Sequence, residues 1–250
     1  MYNNQNIYDN EEFFEGYKKL RENPDNANNI EENPALMSLC PDLTGKTVLD
    51  LGCGYGGSCR RFAEMGAQSV VGVDISKKML EIANTKNLLD NIQYFNMDMT
   101  EIDKLDMKFD VVFSSLALHY VEDFKFLLQR IHASLNEGGQ FIFSQEHPLT
   151  TAPINGVVWT RDELGEAVHY NLSDYCRSGE RKVFWFVDEI KIFHRCISEI
   201  VNELVDAGFV IERMLEPFPD EEFVEKYGPH HRKGIHKPNF LLIKAVKKEG

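Results

Sequence analysis

A short apolar run followed by alternating glycines is the stretch of this sequence best suited to chemistry. Residues 48–56 read V-L-D-L-G-C-G-Y-G. The run has the length of a buried strand, and the glycines end it in a turn whose backbone N–H groups can closely approach a ligand. Such a turn leads into the N-terminus of the next helix, which favours anionic groups. Asp50 stands beside the turn and predicts a cationic or hydroxyl-bearing ligand.

A second acidic residue follows the glycines at the spacing of a nucleotide site. Asp74 ends the apolar run 69–73. An acid at the end of the second strand, roughly 20 residues beyond a glycine-rich turn, binds ribose hydroxyls in doubly wound proteins. The two features together predict a nucleotide-containing ligand, although a purely structural glycine turn stays an alternative.

With these residues the sequence resembles the class I S-adenosylmethionine-dependent methyltransferases, whose first motif has the form V-L-D-[LV]-G-C-G-x-G. The resemblance covers residues 11–139 by motif and 198–246 by topology only. It implies S-adenosyl-L-methionine as the cofactor and methyl transfer to an acceptor. A nicotinamide-dependent oxidoreductase, which would more usually carry G-x-G-x-x-G, and an S-adenosylmethionine-binding protein without catalytic activity stay as alternatives.

The resemblance also implies which residues contact the cofactor. Asp98 would accept a hydrogen bond from the adenine amino group, unless it only caps the next helix, and Ile75 would lie against adenine, unless it packs in the core. Arg21, one turn from Tyr17, would bind the methionine carboxylate, unless it is a solvated helix end. The predicted cofactor-binding residues are Tyr17, Arg21, Asp50, Gly52, Cys53, Gly54, Asp74, Ile75, Met79, Asp98, Met99, Ser114, Ser115 and Leu116.

Two histidines that follow predicted strands are candidate catalytic bases. His119 follows the fourth strand, and the fifth strand delivers Glu146 and His147 to the same sheet edge. A base is needed only where the acceptor carries a proton at neutral pH, so each histidine could instead be structural. Aromatic residues could pack around a planar or cationic acceptor, and Arg195 could bind an acidic one. The predicted substrate-binding residues are His119, Tyr120, His147, Trp159, Tyr170, Trp185 and Arg195.

The elements that must position these residues alternate as in a doubly wound α/β protein. We predict a single Rossmann-like domain over 1–250, built on a seven-stranded, mostly parallel sheet with an antiparallel last strand. A helical lid spans 1–44, with a frayed start over 1–10 and a polar loop before residue 33, and a cofactor-binding core spans 45–147. A β-rich substrate cap, inserted after strand five, spans 148–195. A C-terminal helix that begins at Ser198, with a strand hairpin closed by a loop, spans 196–250.

Charge and composition exclude several classes of partner. The chain has 250 residues, a net charge of −13 and five cysteines. The negative charge disfavours nucleic acid, and we find no apolar run of membrane-spanning length. Cysteines without a C-x-x-C pair indicate reduced thiols and a cytoplasmic protein. No metal is predicted, because His230, His231 and His236 lack ligand spacing. Basic residues in the cap hint at an anionic or neutral small-molecule acceptor, whose identity stays open, as does the oligomeric state.

Overall fold

The computed structural model describes residues 5–248, except for the side chain of His230. The strands in this part of the chain are β1 (Thr47–Leu51), β2 (Ser69–Asp74), β3 (Ile92–Asn96), β4 (Phe109–Ser115), β5 (Leu135–Glu146), β6 (Trp159–Arg161), β7 (Ala167–Tyr170), β8 (Gly179–Trp185), β9 (Val187–His194), β10 (Phe209–Leu215) and β11 (Phe240–Lys247). The α-helices are α1 (Glu11–Glu22), α2 (Asn33–Ser38), α3 (Gly57–Glu64), α4 (Lys77–Lys86), α5 (Phe124–Ser134), α6 (Pro148–Thr151), α7 (Ile197–Asp206) and α8 (Glu221–Tyr227).

The predicted doubly wound sheet is confirmed. Seven strands lie in the order β10-β11-β5-β4-β1-β2-β3, and β11 is antiparallel to both of its neighbours. The central strands are mostly apolar because both faces are covered. Val48 and its partner Val111 pack into one core layer, whereas the adjacent Leu49 and Val112 pack into the other. The carboxyl ends of β1, β2, β4 and β5 therefore meet at one edge of a rigid sheet.

The N-terminal segment, residues 5–44, is more ordered than the sequence indicates. Residues 1–4 of the predicted frayed start lie outside the described part. A 3-10 turn over Ile7–Asp9 precedes α1, whose first turn is capped by Asn10. Asp9 Oδ1 accepts hydrogen bonds from Ser76 Oγ at 2.6 Å and from the Lys78 N–H at 3.2 Å. The predicted polar loop before α2 is wrong in part, because Asn28–Glu32 form a π-helix.

The segment after β5 contains two hairpins that do not join the main sheet. β6 pairs with β7, and β8 pairs with β9. The tip of the β8–β9 hairpin reaches α1, where Trp185 and Phe186 pack edge-on against Phe13 with ring centroids 5.3 and 5.6 Å away. The hairpin and the N-terminal segment thus meet above the carboxyl edge of the sheet.

Two boundaries near the C-terminus differ from the prediction. α7 begins at Ile197, and its first turn is closed by Glu199, whose side chain accepts from the Cys196 N–H at 2.9 Å, so Ser198 is not the cap. The stretch between β10 and β11 holds α8 and a 3-10 helix over Pro229–Ile235 instead of an open loop. Within residues 5–248 no helix is both long and apolar enough to cross a membrane.

Candidate active site

A cavity of about 520 Å³ opens at the carboxyl edge of the sheet. Its floor is the turn after β1 together with the ends of β2, β4 and β5. The N-terminal segment and the tip of the β8–β9 hairpin line it from above. This volume lies in the range of small-molecule and cofactor sites, roughly 300–1,000 Å³.

The glycine turn after β1 leaves its backbone open to the cavity. Gly52, Gly54 and Gly56 have φ angles of +70°, +52° and +77°, which favour glycine. A Cβ at Gly52 would lie 2.6 Å from the Cβ of Ala117, whereas a Cβ at Gly54 would meet no atom within 4 Å. Gly54 lines the cavity, so the absence of a side chain there leaves room for a ligand to approach the backbone.

Asp74 faces the cavity with hydrogen-bonding capacity left on both oxygens. Oδ2 accepts from the Gly54 N–H and Oδ1 from the Ser76 N–H, each at 2.8 Å. A carboxylate oxygen can accept two hydrogen bonds, so one more partner fits at each. Burial raises the pKa of Asp74, and the two backbone donors oppose this. A pair of ribose hydroxyls matches the remaining capacity.

Asp50 is a buried carboxyl at the same edge, with an exposed fraction of 2%. The Cys59 thiol donates to its Oδ2 across 3.3 Å. Burial raises the pKa of Asp50 to about 7, and the nearby charge of Asp74 adds to this. A cationic ligand nearby would stabilise the ionised form of Asp50, and this is the kind of ligand that the sequence predicts.

Apolar side chains and Asp98 line the cavity beyond Asp74. Ile75, Met79 and Met99 all contribute to this wall. Asp98 Oδ1 accepts from the Thr100 N–H and hydroxyl at 2.8 and 2.7 Å, so Asp98 caps the 3-10 helix Met99–Leu105 while it also lines the cavity. Both readings of Asp98 therefore fit the structure.

Tyr17 and Arg21 line the cavity from α1, with Tyr55 of the glycine turn beside them. The Tyr55 hydroxyl is enclosed and has no hydrogen-bond partner among the described residues. Glu32 lies behind this region with its carboxylate held by the Ser115 hydroxyl at 2.9 Å. Burial raises the pKa of Glu32, and the charge of Arg21 opposes this rise.

His119, Tyr120 and Glu146 line the far end of the cavity, opposite Tyr8 and Trp185. Burial lowers the pKa of His119 to about 3, so the imidazole is neutral. Its Nδ1 is enclosed without a hydrogen-bond partner among the described residues. The Glu146 carboxylate is half-buried, and burial raises its pKa.

His147 does not reach the cavity, contrary to its predicted catalytic and substrate roles. It is 1% exposed, and both ring nitrogens have partners within the protein. Nδ1 accepts from the Leu149 N–H at 3.0 Å, and Nε2 lies 2.8 Å from Glu216 Oε1. His147 therefore caps α6, which is the structural role left open by the sequence.

Four other predicted residues also lie away from the cavity. The Ser114 hydroxyl donates to the Leu51 carbonyl at 2.9 Å inside the sheet. Arg195 donates to the Val121 and Glu122 carbonyls. Trp159 and Tyr170 pack against each other with ring centroids 5.0 Å apart, within the β6–β7 hairpin. The reason is common to all four residues, since each uses its polar or aromatic group in a contact with another part of the protein.

The remaining predicted residues are brought together at the cavity. These are Tyr17, Arg21, Asp50, Gly52, Cys53, Gly54, Asp74, Ile75, Met79, Asp98, Met99, Ser115, Leu116, His119, Tyr120 and Trp185. Sequence reasoning missed Tyr8 and Glu32, which fall in segments predicted to be frayed or loop. Their signal was weak, because neither follows a strand or belongs to a motif.

Residues 48–139 match the family model of a methyltransferase domain. The chain is 41% identical over 256 residues to an uncharacterised protein of Haemophilus influenzae, with 100% of both chains covered. The solved structure of an S-adenosylmethionine-dependent methyltransferase from Mesorhizobium loti has a TM-score of 0.78 and 35% identity, covering 86% of this chain and 97% of that one. A counterpart from Listeria monocytogenes gives a TM-score of 0.78 and 34% identity, covering 87% and 98%. This chain belongs to the class I S-adenosylmethionine-dependent methyltransferases.

The cavity of this methyltransferase fits S-adenosylmethionine, the cofactor of the family. The open backbone at Gly54 and the spare capacity of Asp74 suit the ribose and its neighbours. The unpartnered Tyr55 hydroxyl offers one further polar contact in the same cavity. The acidic groups Asp50 and Asp74 also match a ligand that carries a positive sulfonium.

Proposed function

We propose that this methyltransferase acts on a small-molecule acceptor bound at the β4–β5 end of the cavity. The observation that carries the proposal is the extent of the cavity. It runs from Asp74, where a cofactor would be held, past Leu116 to His119 and Glu146, which have no role in the proposed cofactor contacts. An enclosed space of this size beyond a cofactor site suits a small acceptor better than a macromolecule.

Each part of the cavity has a proposed role in the reaction. S-adenosylmethionine would supply an activated methyl group, which passes in line to the acceptor as S-adenosylhomocysteine leaves. Asp74 and the backbone of the glycine turn bind and orient the nucleoside, while Tyr17 and Arg21 hold the methionine end. Arg21 provides the formal positive charge that a carboxylate there requires. The protein contributes mainly by alignment, since orientation of two bound partners accounts for much of the rate of such a step.

The N-terminal segment and the 148–195 insertion would act as lid and cap in this proposal. They line the cavity from above and pack on each other through Phe13, Trp185 and Phe186. Their closure would exclude water from the methyl donor. The His119 side chain would position the acceptor while it is itself neutral, because the lowered pKa of His119 leaves the imidazole uncharged across the physiological range.

Calorimetric binding tests the cofactor half of this proposal. S-adenosylhomocysteine is expected to bind, and a reduced nicotinamide dinucleotide is not. Asp74→Ala removes the proposed ribose contacts, so affinity should fall by about tenfold or more, since a hydrogen bond to a charged group contributes roughly 1.5–3 kcal/mol. Asp90→Ala, an exposed carboxylate away from the cavity, is the control. Unchanged affinity in Asp74→Ala would remove the ribose assignment, and binding of the dinucleotide alone would remove the proposed function.

A further inference from the structure

Aromatic rings from four separate elements surround the far end of the cavity. The rings of Tyr8 and Tyr17 meet edge to face with centroids 5.2 Å apart. Trp185 stands 5.9 Å from Tyr17 at an interplanar angle of 86°, and Tyr120 stands 6.2 Å from Tyr8 at 86°. All four side chains line the same cavity. Mutually perpendicular rings of this kind present several π faces to one small volume.

Glu146 adds a carboxylate that forms no salt bridge with the described residues. Its side chain accepts no hydrogen bond from the described residues. Lys237 is the cation that acts on it electrostatically, but the Lys237 ammonium donates to Thr150 Oγ1 at 2.6 Å and Asn239 Oδ1 at 3.2 Å. The carboxylate thus faces the cavity without an ionic partner of its own.

The cations that could have favoured an anionic acceptor are directed elsewhere. Arg195 donates to backbone carbonyls after the fourth strand, and Arg181 of the cap donates to the Ala152 carbonyl at 3.0 Å. Arg61, which does line the cavity, donates to Asn33 Oδ1 at 2.7 Å on the glycine-turn side. The hint of an anionic acceptor taken from the basic cap residues is therefore not supported by their placement.

On the basis of the proposed function, we infer that the methyl acceptor is an amine, held through its cationic or polarised nitrogen by Glu146 and the rings of Tyr8, Tyr17, Tyr120 and Trp185. A cation over aromatic faces is attracted by the ring quadrupole, and the attraction grows where water is excluded. A carboxylate or phosphate acceptor would instead be repelled by the charge of Glu146, while the nearby Lys237 ammonium is already bonded to Thr150 and Asn239. Neutral His119 adds no repulsion to a cationic group.

The chemistry of this assignment balances without a further reactant. The nitrogen lone pair forms the new bond to the methyl carbon while the carbon–sulfur bond breaks toward sulfur, which leaves a neutral thioether and an N-methylated ammonium. An acceptor that enters as a protonated primary or secondary amine first gives one proton to the Glu146 carboxylate. A tertiary amine that enters protonated gives up its proton in the same way, and an amine that enters as the free base needs no proton transfer.

A pair of isosteres that differ in charge tests the inference through binding alone. Choline and its uncharged analogue 3,3-dimethylbutan-1-ol are titrated by calorimetry into protein saturated with S-adenosylhomocysteine. We expect choline to bind about tenfold or more tightly than the alcohol, because ion pairing and cation–π attraction act only on the charged probe. Glu146→Gln should remove most of this preference while the affinity for S-adenosylhomocysteine stays unchanged.

The control is Glu163→Gln, at an exposed carboxylate of the cap, which should keep the preference for choline. If S-adenosylhomocysteine binds but neither probe does, if the probes bind equally, or if Glu146→Gln keeps the preference, the amine assignment is overturned and the methyltransferase proposal stands. If S-adenosylhomocysteine itself fails to bind, the proposed function fails, and the inference fails with it.

Discussion

Asp50 couples cofactor affinity to pH at the scale of a single residue. Burial raises its pKa to about 7, so a large share of the group is protonated near neutrality in the ligand-free protein. S-adenosylmethionine carries a sulfonium and an ammonium, and it should bind better when Asp50 is ionised. We expect the Kd measured by calorimetry to rise as the pH falls from 7.5 to 5.5, approaching about tenfold per pH unit.

Asp50→Asn is the matched comparison for this pH dependence. The variant should bind more weakly at pH 7.5 and lose most of the slope, and the titration of the ligand cancels in the difference between the two proteins. Equal slopes in wild type and variant would show that another group controls the affinity.

The same carboxyl should shape the stability of the ligand-free protein. The pKa of Asp50 is raised from 3.8 to about 7, so between these values the native state binds more protons than the unfolded chain. Stability contributed by the protonated group is therefore lost as the pH rises through this window. Chemical denaturation should show a flatter pH profile for Asp50→Asn, and the variant should gain most over wild type above pH 7. A variant that loses stability at pH 8 would contradict the assignment of Asp50 as an uncompensated buried acid.

At the scale of elements, the contact between α1 and the β8–β9 hairpin depends on the absence of a side chain at Gly16. A Cβ there would lie 2.6 Å from Phe186 Cδ1 and 2.7 Å from Cγ. Phe186 has φ +64°, so its backbone is already in the region that favours glycine. The ring cannot retreat without moving Trp185, whose ring stacks on it at 5.3 Å.

Gly16→Ala should therefore loosen the hairpin, although alanine raises helix propensity by up to about 1 kcal/mol. In a Trp159→Phe background Trp185 is the single tryptophan, so its fluorescence reports the wall of the cavity. We expect acrylamide quenching of Trp185 to increase in Gly16→Ala. Lys19→Ala, at an exposed position of the same helix, should leave the quenching unchanged. Equal quenching in both variants would mean that the hairpin tip is not held by α1.

At the scale of the whole molecule, three carboxylates hold the N-terminal segment against the rest of the fold. Asp9 is bonded to Ser76 at the start of α4, and Glu31 accepts from Asn239 just before β11 at 3.2 Å. Glu32 accepts from hydroxyls of β4 and β5. These contacts join residues 9–32 to parts of the chain that lie far away in sequence. A ligand between the segment and the sheet should therefore stabilise both together.

S-adenosylhomocysteine at a concentration of 100 times its Kd should stabilise the native state by about 2.7 kcal/mol. For a chain of this size we expect Tm to rise by roughly 5–10 °C, at about 2–4 °C per kcal/mol. Hydrogen exchange should show new protection in Ile7–Asp9 and in α1 as well as in the glycine turn. Protection confined to the glycine turn would indicate that the N-terminal segment does not close over the ligand.

The fold and the glycine-turn side of the cavity were predictable because they depend on local sequence. The glycine turn needs positive φ angles at Gly52 and Gly54, and Asp74 must end the neighbouring strand, so each requirement fixes a residue type at a known position in the sequence. Parallel strands then bring these residues to one edge of the sheet, whatever the rest of the chain does. The antiparallel last strand was implied by the resemblance to the methyltransferase family, and the structure supplies the strand order.

The lining of the proposed acceptor end of the cavity was decided by the tertiary structure. Tyr8, Trp185 and Glu146 meet only because the N-terminal segment and the β8–β9 hairpin fold over the end of β5, and nothing in their local sequence fixes that approach. For the same reason His147 and Arg195, which stand at suitable places in the sequence, turn into caps and backbone contacts. The sequence by itself determined a nucleotide-binding sheet and a methyl donor. Long-range packing determined which side chains line the proposed acceptor end of the cavity, because the direction of a side chain depends on neighbours that lie far away in the chain.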